Sequence, residues 1–159
     1  MLSEVLNQQI IEDICGSAGI GFVKYLFSHN TKYEPMMPFV YQTDHGNSMI
    51  ALDGTILNRN FNFCELVNKI NGPLESFQDY MESLKGTYNL IYIDEGKMLI
   101  ARDPYGIKPM CFGKLQDTFI AVSESCALDA MNGEFLQDVE PGTIILVENG
   151  DYSTHHFSK

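Results

Sequence analysis

The chain has 159 residues, 45% apolar and 19% charged, which suffices for one domain with its own core. Ten Lys and Arg stand against twenty-one Asp and Glu, a formal net charge of -11 with no basic run, so nucleic acid is not an expected partner. No apolar run approaches the roughly 18 residues of a membrane span, and the first residues lack a signal peptide's basic and apolar regions. A cytoplasmic protein without membrane contact is expected.

Residues 3–14, SEVLNQQIIEDI, place Val5, Leu6, Ile10 and Ile11 at near-helical spacing. GIGFVKYLF at 19–27 is β-rich and apolar enough for a buried strand. A loop from Ser28 to Met37 leads to a second strand, PFVYQT. NSMIALDGTILN at 47–58 reads as a strand ending in a tight turn at Asp53-Gly54.

Two helices follow. In NFNFCELVNKI, Phe63, Leu66, Val67 and Ile70 recur at three and four residues, with Asn60 or Asn62 as cap and Asn71-Gly72 as stop. In PLESFQDYMESLKG, Leu74, Phe77, Tyr80, Met81 and Leu84 form one stripe that Gly86 ends. Strands are then expected at 87–94, 97–103, 110–115, 118–123 and 142–149, interrupted by a short helix, ESCALDAM. Strands and helices segregate rather than alternate, so the class is α+β with antiparallel sheet.

Cys15, Cys64, Cys111 and Cys126 stand far apart with no CxxC pair, and His155-His156 lack spaced partners at what reads as a solvated tail. Free thiols are expected, and neither a metal nor a cofactor.

The ordered motifs GIGFVKY (19–25), MPF (37–39), ALDGTILN (51–58), SLKGTYNL (83–90), ARDPYGIKPM (101–110), AVSESCALD (121–129) and VEPGTIILV (139–147) carry a family signature. Together the set resembles the glutaminase domain of class II glutamine amidotransferases, on their amidophosphoribosyltransferase branch. The resemblance implies an N-terminal-nucleophile hydrolase-like αββα sandwich of two antiparallel sheets, reduced at its N-terminus. It implies one glutaminase-like domain over 1–159, with 1–18 an atypical segment and no phosphoribosyltransferase domain. In that family a mature N-terminal Cys attacks the glutamine amide, its own α-amine serving as base. An asparagine and a glycine amide hold the oxyanion, an arginine binds the glutamine carboxylate, and ammonia passes to a partner domain.

On the matching register Met1-Leu2 falls well past the family's catalytic Cys, and no HRGQ motif occurs. Lys24, followed by Tyr25, takes the place of the carboxylate-binding arginine, keeping its charge without the bidentate fork. Leu52 replaces a histidine. Asp53 replaces the oxyanion asparagine, and an ionised carboxylate only accepts hydrogen bonds. Losing one oxyanion donor costs about 10²–10³ in rate. The Gly54 amide is kept, and the acidic residue that binds substrate ammonium has no counterpart between Asn58 and Ser83.

Lys24 and Asp53 read equally as a salt bridge closing the old pocket or as contacts to a small amino-acid ligand. Arg102, Asp103, Pro104, Gly106 and Pro109 read as a structural turn, and Ser123 and Glu124, with Ser125, as a helix cap.

The leading expectation is a degenerate, non-catalytic binding or regulatory module. Sheet edges left uncovered imply a homo-oligomer or a covering partner protein, a phosphoribosyltransferase among the candidates. The alternative is an active or partner-completed glutaminase. Removal of residues 1–14 would expose Cys15 as a nucleophile, although only seven residues then separate it from Val23, far fewer than in the family.

Overall fold

The computed structural model describes residues 16–23, 37–43, 46–94 and 96–158. Among these the order is β1 (Phe39–Thr43), β2 (Gly46–Ile56), α1 (Phe63–Ile70), α2 (Leu74–Ser83), β3 (Gly86–Ile93), β4 (Lys97–Arg102), β5 (Cys111–Leu115), β6 (Thr118–Val122), α3 (Ser125–Ala130), β7 (Glu134–Asp138), β8 (Thr143–Glu148) and β9 (Asp151–His156). The strands form a six-stranded sheet, β1-β2-β3-β4-β8-β9, and a three-stranded sheet, β6-β5-β7. Every pair is antiparallel.

Helix α1 begins where the Asn62 side chain accepts from Glu65 N at 2.7 Å, satisfying one of the amides a helix start leaves unpaired. It buries Leu66, Val67 and Ile70, and α2 buries Phe77 and Met81. At roughly 1.5–3 kcal/mol for each fully buried large apolar side chain, this face holds both helices down. It packs on Ile50, Leu90, Tyr92, Leu99 and Ile144 of the large sheet. The opposite sheet face presents Ile100 and Ile145 to Phe112, Met110 and Val139 around the small sheet. Beyond that, Leu128 of α3 lies against Gly113, where a Cβ would come 2.7 Å from Leu128 Cδ1. The layers are helix, sheet, sheet, helix, as the αββα expectation requires.

Because opposite residues in a ladder share a face, the register sorts the inter-sheet side of the large sheet into three rows. The first is Val40, Met49, Ile93, Met98, Val147 and Tyr152, and the second Ala51, Ile91, Ile100, Ile145 and Thr154. The third is polar throughout: Asp53, Asn89, Arg102, Thr143 and His156. The small sheet sits over the β4, β8 and β9 half, where Phe112 and Phe119 meet Tyr152 at centroid distances of 5.0 and 5.5 Å. On the other half Val40 remains 57% exposed.

Several expectations are corrected. Residues 19–23 form no strand: Gly19 and Gly21 have open space around them, and Val23 is exposed. The rest of that expected strand, like the 3–14 helix, lies outside the described residues. Asp53-Gly54 is not a turn, since β2 runs through it to Ile56, paired with β3. Gly54 has φ +145 because a Cβ there would lie 2.0 Å from Thr87 O, so the glycine serves close strand approach. Helix α2 ends at Ser83 with Leu84 as its C-cap, and Gly86 opens β3 instead. The tail is strand β9, paired along β8. Strand β7 is an addition to the expected strands, because EFLQD alternates too weakly to mark one.

Candidate functional site

The polar row lies at the end of the sheet where β4 runs into the loop 103–110. Arg102 ties that loop to the segment after β7: Nε donates to Lys108 O at 2.8 Å and Nη2 to Gly106 O at 2.7 Å within the loop, and Nη1 to Val139 O at 2.7 Å. Its planar fork suits three fixed carbonyls as an ammonium would not. Asp103 is fully buried and accepts from Tyr105 N at 2.8 Å, Gly106 N at 3.0 Å and Tyr88 N at 3.1 Å. The turn needs glycine at 106, where φ is +58 and a Cβ would meet Pro141 Cγ at 2.5 Å. Pro104 follows Asp103 into this turn, and Pro109 accepts from Asn89 Nδ2 through its carbonyl at 2.8 Å.

So anchored, the loop carries Lys108 back over β2. Its Nζ lies 3.0 Å from both carboxylate oxygens of Asp53, with side-chain exposures of 39% and 45%. Beside Asp53 in the row, Asn89 is 3% exposed and its Oδ1 has no hydrogen-bond partner. At the row's far end Thr143 Oγ1 and His156 Nδ1 are 3.1 Å apart. Asp53, Gly54, Arg102 and Asp103 are therefore brought to one end of the sheet. Lys24, Tyr25 and Cys15 lie outside the described residues. Ser123 and Glu124 are exposed, and Glu124 stands at the α3 N-cap without a side-chain cap bond, which corrects the cap expectation.

Among the described cysteines, Cys64 and Cys126 are exposed and Cys111 is buried. Burial, together with a hydrogen bond to Asp138, pushes the Cys111 thiol up, away from nucleophilic thiolate. No group of three or more His, Cys, Asp or Glu among the described residues could hold a metal. Sequence reasoning missed Lys108 and Asn89. The signal for Asn89 was its place two residues before Ile91, on the same strand face.

Residues 31–130 match the family described as the glutamine amidotransferase domain. The chain belongs to that family. This glutamine amidotransferase domain is similar to the amidophosphoribosyltransferase of Archaeoglobus fulgidus, at 30% identity over 95% of this chain and 38% of the relative. It is also similar to that of Methanocaldococcus jannaschii, at 27% identity over 98% of this chain and 38% of the relative. It thus spans little more than a third of these relatives. A solved structure of the glutamine phosphoribosylpyrophosphate amidotransferase from B. subtilis, complexed with ADP and GMP, superposes with a TM-score of 0.71 at 23% identity. It covers 86% of this chain and 34% of that one. At that identity the likeness speaks for the fold, an N-terminal-nucleophile hydrolase-like sandwich.

Proposed function

We propose that this glutamine amidotransferase domain does not itself release ammonia and acts as a binding or regulatory module beside a phosphoribosyltransferase of purine synthesis. The observation that carries the reading is the Asp53–Lys108 pair. Where a glutaminase needs an amide donor facing a developing oxyanion, this chain holds an acceptor-only carboxylate already occupied by an ammonium. The Gly54 amide alone supplies the remaining donor. Leu52, in place of a histidine, offers no proton-transfer group. The pair of opposite charges suits the ammonium and carboxylate of a small amino acid, which would separate Asp53 from Lys108.

The test is ammonia release from glutamine by the full chain, with glutamine binding followed by calorimetry. No release above buffer, and binding lost in both Asp53→Ala and Lys108→Ala, is the expected result. Glutamine hydrolysis abolished by Cys15→Ala overturns the reading.

A second reading, a glutaminase completed by another chain, is favoured by the half-covered inter-sheet face around Val40 and Met49. Ammonia release appearing only on mixing with a partner polypeptide would establish it.

A further inference from the structure

At the end of the strands away from Asp53, a cavity of about 560 Å³ opens between the sheets, within the range of pockets that enclose a ligand. Its floor is the apolar face of the large sheet, with Ile91, Ile93, Met98 and Val147. One wall is β6, from Thr118 to Ala121, and the facing wall is the backbone-rich run 17–21. Strand β6 pairs with β5 on one side, and among the described residues its other edge pairs with nothing. That edge, TFIAV, carries none of the devices that blunt natural edges: no Lys, no Pro and no bulge. The space beside it continues the plane of the small sheet over the part of the large sheet that the small sheet leaves uncovered.

We propose that this slot takes up an extended segment of a second polypeptide, which adds to β6 as a fourth strand of the small sheet. Backbone groups of β6 pair with the incoming strand, and its alternate side chains enter the cavity over Ile91 and Met98. A five-residue strand spans about 17 Å, the length of β6. The mouth carries Asp117, exposed and without an ion-pair partner among the described residues, whereas Glu148 stands opposite Lys97 in the β4–β8 ladder and shares its face, away from Met98 and Val147. Asp94 is engaged by Tyr92 and Gly96. The entering segment is therefore apolar at alternate positions and basic at one end. A second copy of this chain fits poorly, because each copy bears a formal charge of -11 and would bring the same carboxylate to the mouth. The inference concerns the end of the sandwich remote from Asp53 and holds whether or not that site hydrolyses glutamine.

The probe is a synthetic peptide, Lys-Lys-Val-Thr-Val-Thr-Val-Thr-Val, with a Glu-Glu version as comparison. Both are added to the full chain at up to about 1 mM, a concentration that detects even weak binding. Amide hydrogen exchange is followed throughout, and affinity is read from anisotropy of labelled peptide. The expected result is slowed exchange confined to 118–122 and the cavity floor. Affinity should fall about 10-fold for the Glu-Glu peptide and for the surface variant Asp117→Lys. Three results would each overturn the proposal: no protection of 118–122, affinity indifferent to both charge changes, or protection of 118–122 without peptide in a chain that sediments as a dimer.

Discussion

Asp103 shows how one buried carboxylate can hold a loop, since its two oxygens take three backbone amides, of which only Gly106 N also reaches the Asp103 carbonyl, at 3.2 Å. Asp103→Ala leaves the Tyr88 and Tyr105 amides without the carboxylate, and urea denaturation is expected to show a loss of about 3 kcal/mol. Lys108→Ala is the contrast. Its ion pair with Asp53 is more than a third exposed on both sides, so the same experiment should register less than about 1 kcal/mol. Tyr41 Oη is buried with no partner, and burial, reinforced by Cys64 and Tyr92, pushes its pKa up to about 12. An acid whose folded pKa is raised stabilises the fold fully below its unfolded value near 10, and that contribution is lost as pH rises through about 12. Tyr88 and Tyr92 are shifted up as well, burial being the first cause in each. Circular dichroism is expected to show alkaline unfolding between pH 10 and about 12, shallower in Tyr41→Phe, which loses no stability at neutral pH.

At the scale of elements, β2 and β3 form a ladder that tolerates no side chain at two points. A Cβ on Gly54 would lie 2.0 Å from Thr87 O, and one on Gly86 2.1 Å from Thr55 O. Both glycines also hold positive φ, +145 and +141. Gly54→Ala should therefore separate the strands and cost about 3 kcal/mol or more, read as a lowered melting temperature. The same register was the least legible part of the sequence. Asp-Gly ordinarily signals a hairpin turn, and nothing local distinguishes a turn glycine from one that admits a neighbouring backbone. Helices α1 and α2 were legible because their apolar stripes, the Asn62 cap and the Asn71-Gly72 stop lie within their own residues. Strand β9 was not, because DYSTHH is a strand through its six-residue pairing with β8 and not through alternation.

At the scale of the whole molecule, the described residues cover the six-stranded sheet with helices on one face and with three strands over about half of the other. That asymmetry predicts uneven protection. Amides of β4, paired on both sides and buried, should exchange at least about 100-fold more slowly than those of β6, paired on one side and half-buried. Native-state hydrogen exchange on the full chain checks this, and equal rates would mean that β6 is already covered.

By itself the sequence determined the α+β class, the two helices, most strands and membership of the amidotransferase family, because periodicity, caps and ordered motifs are local. It also singled out Asp53 and the Arg102-Asp103 turn. Only the tertiary structure decided what Asp53 meets. Lys108 stands 55 residues away and reaches it because Arg102 and Asp103 fix the loop between them. The three cross-strand rows, the buried Asn89 and the open edge of β6 are likewise products of register. Register is set by long-range pairing, which no short window of residues contains.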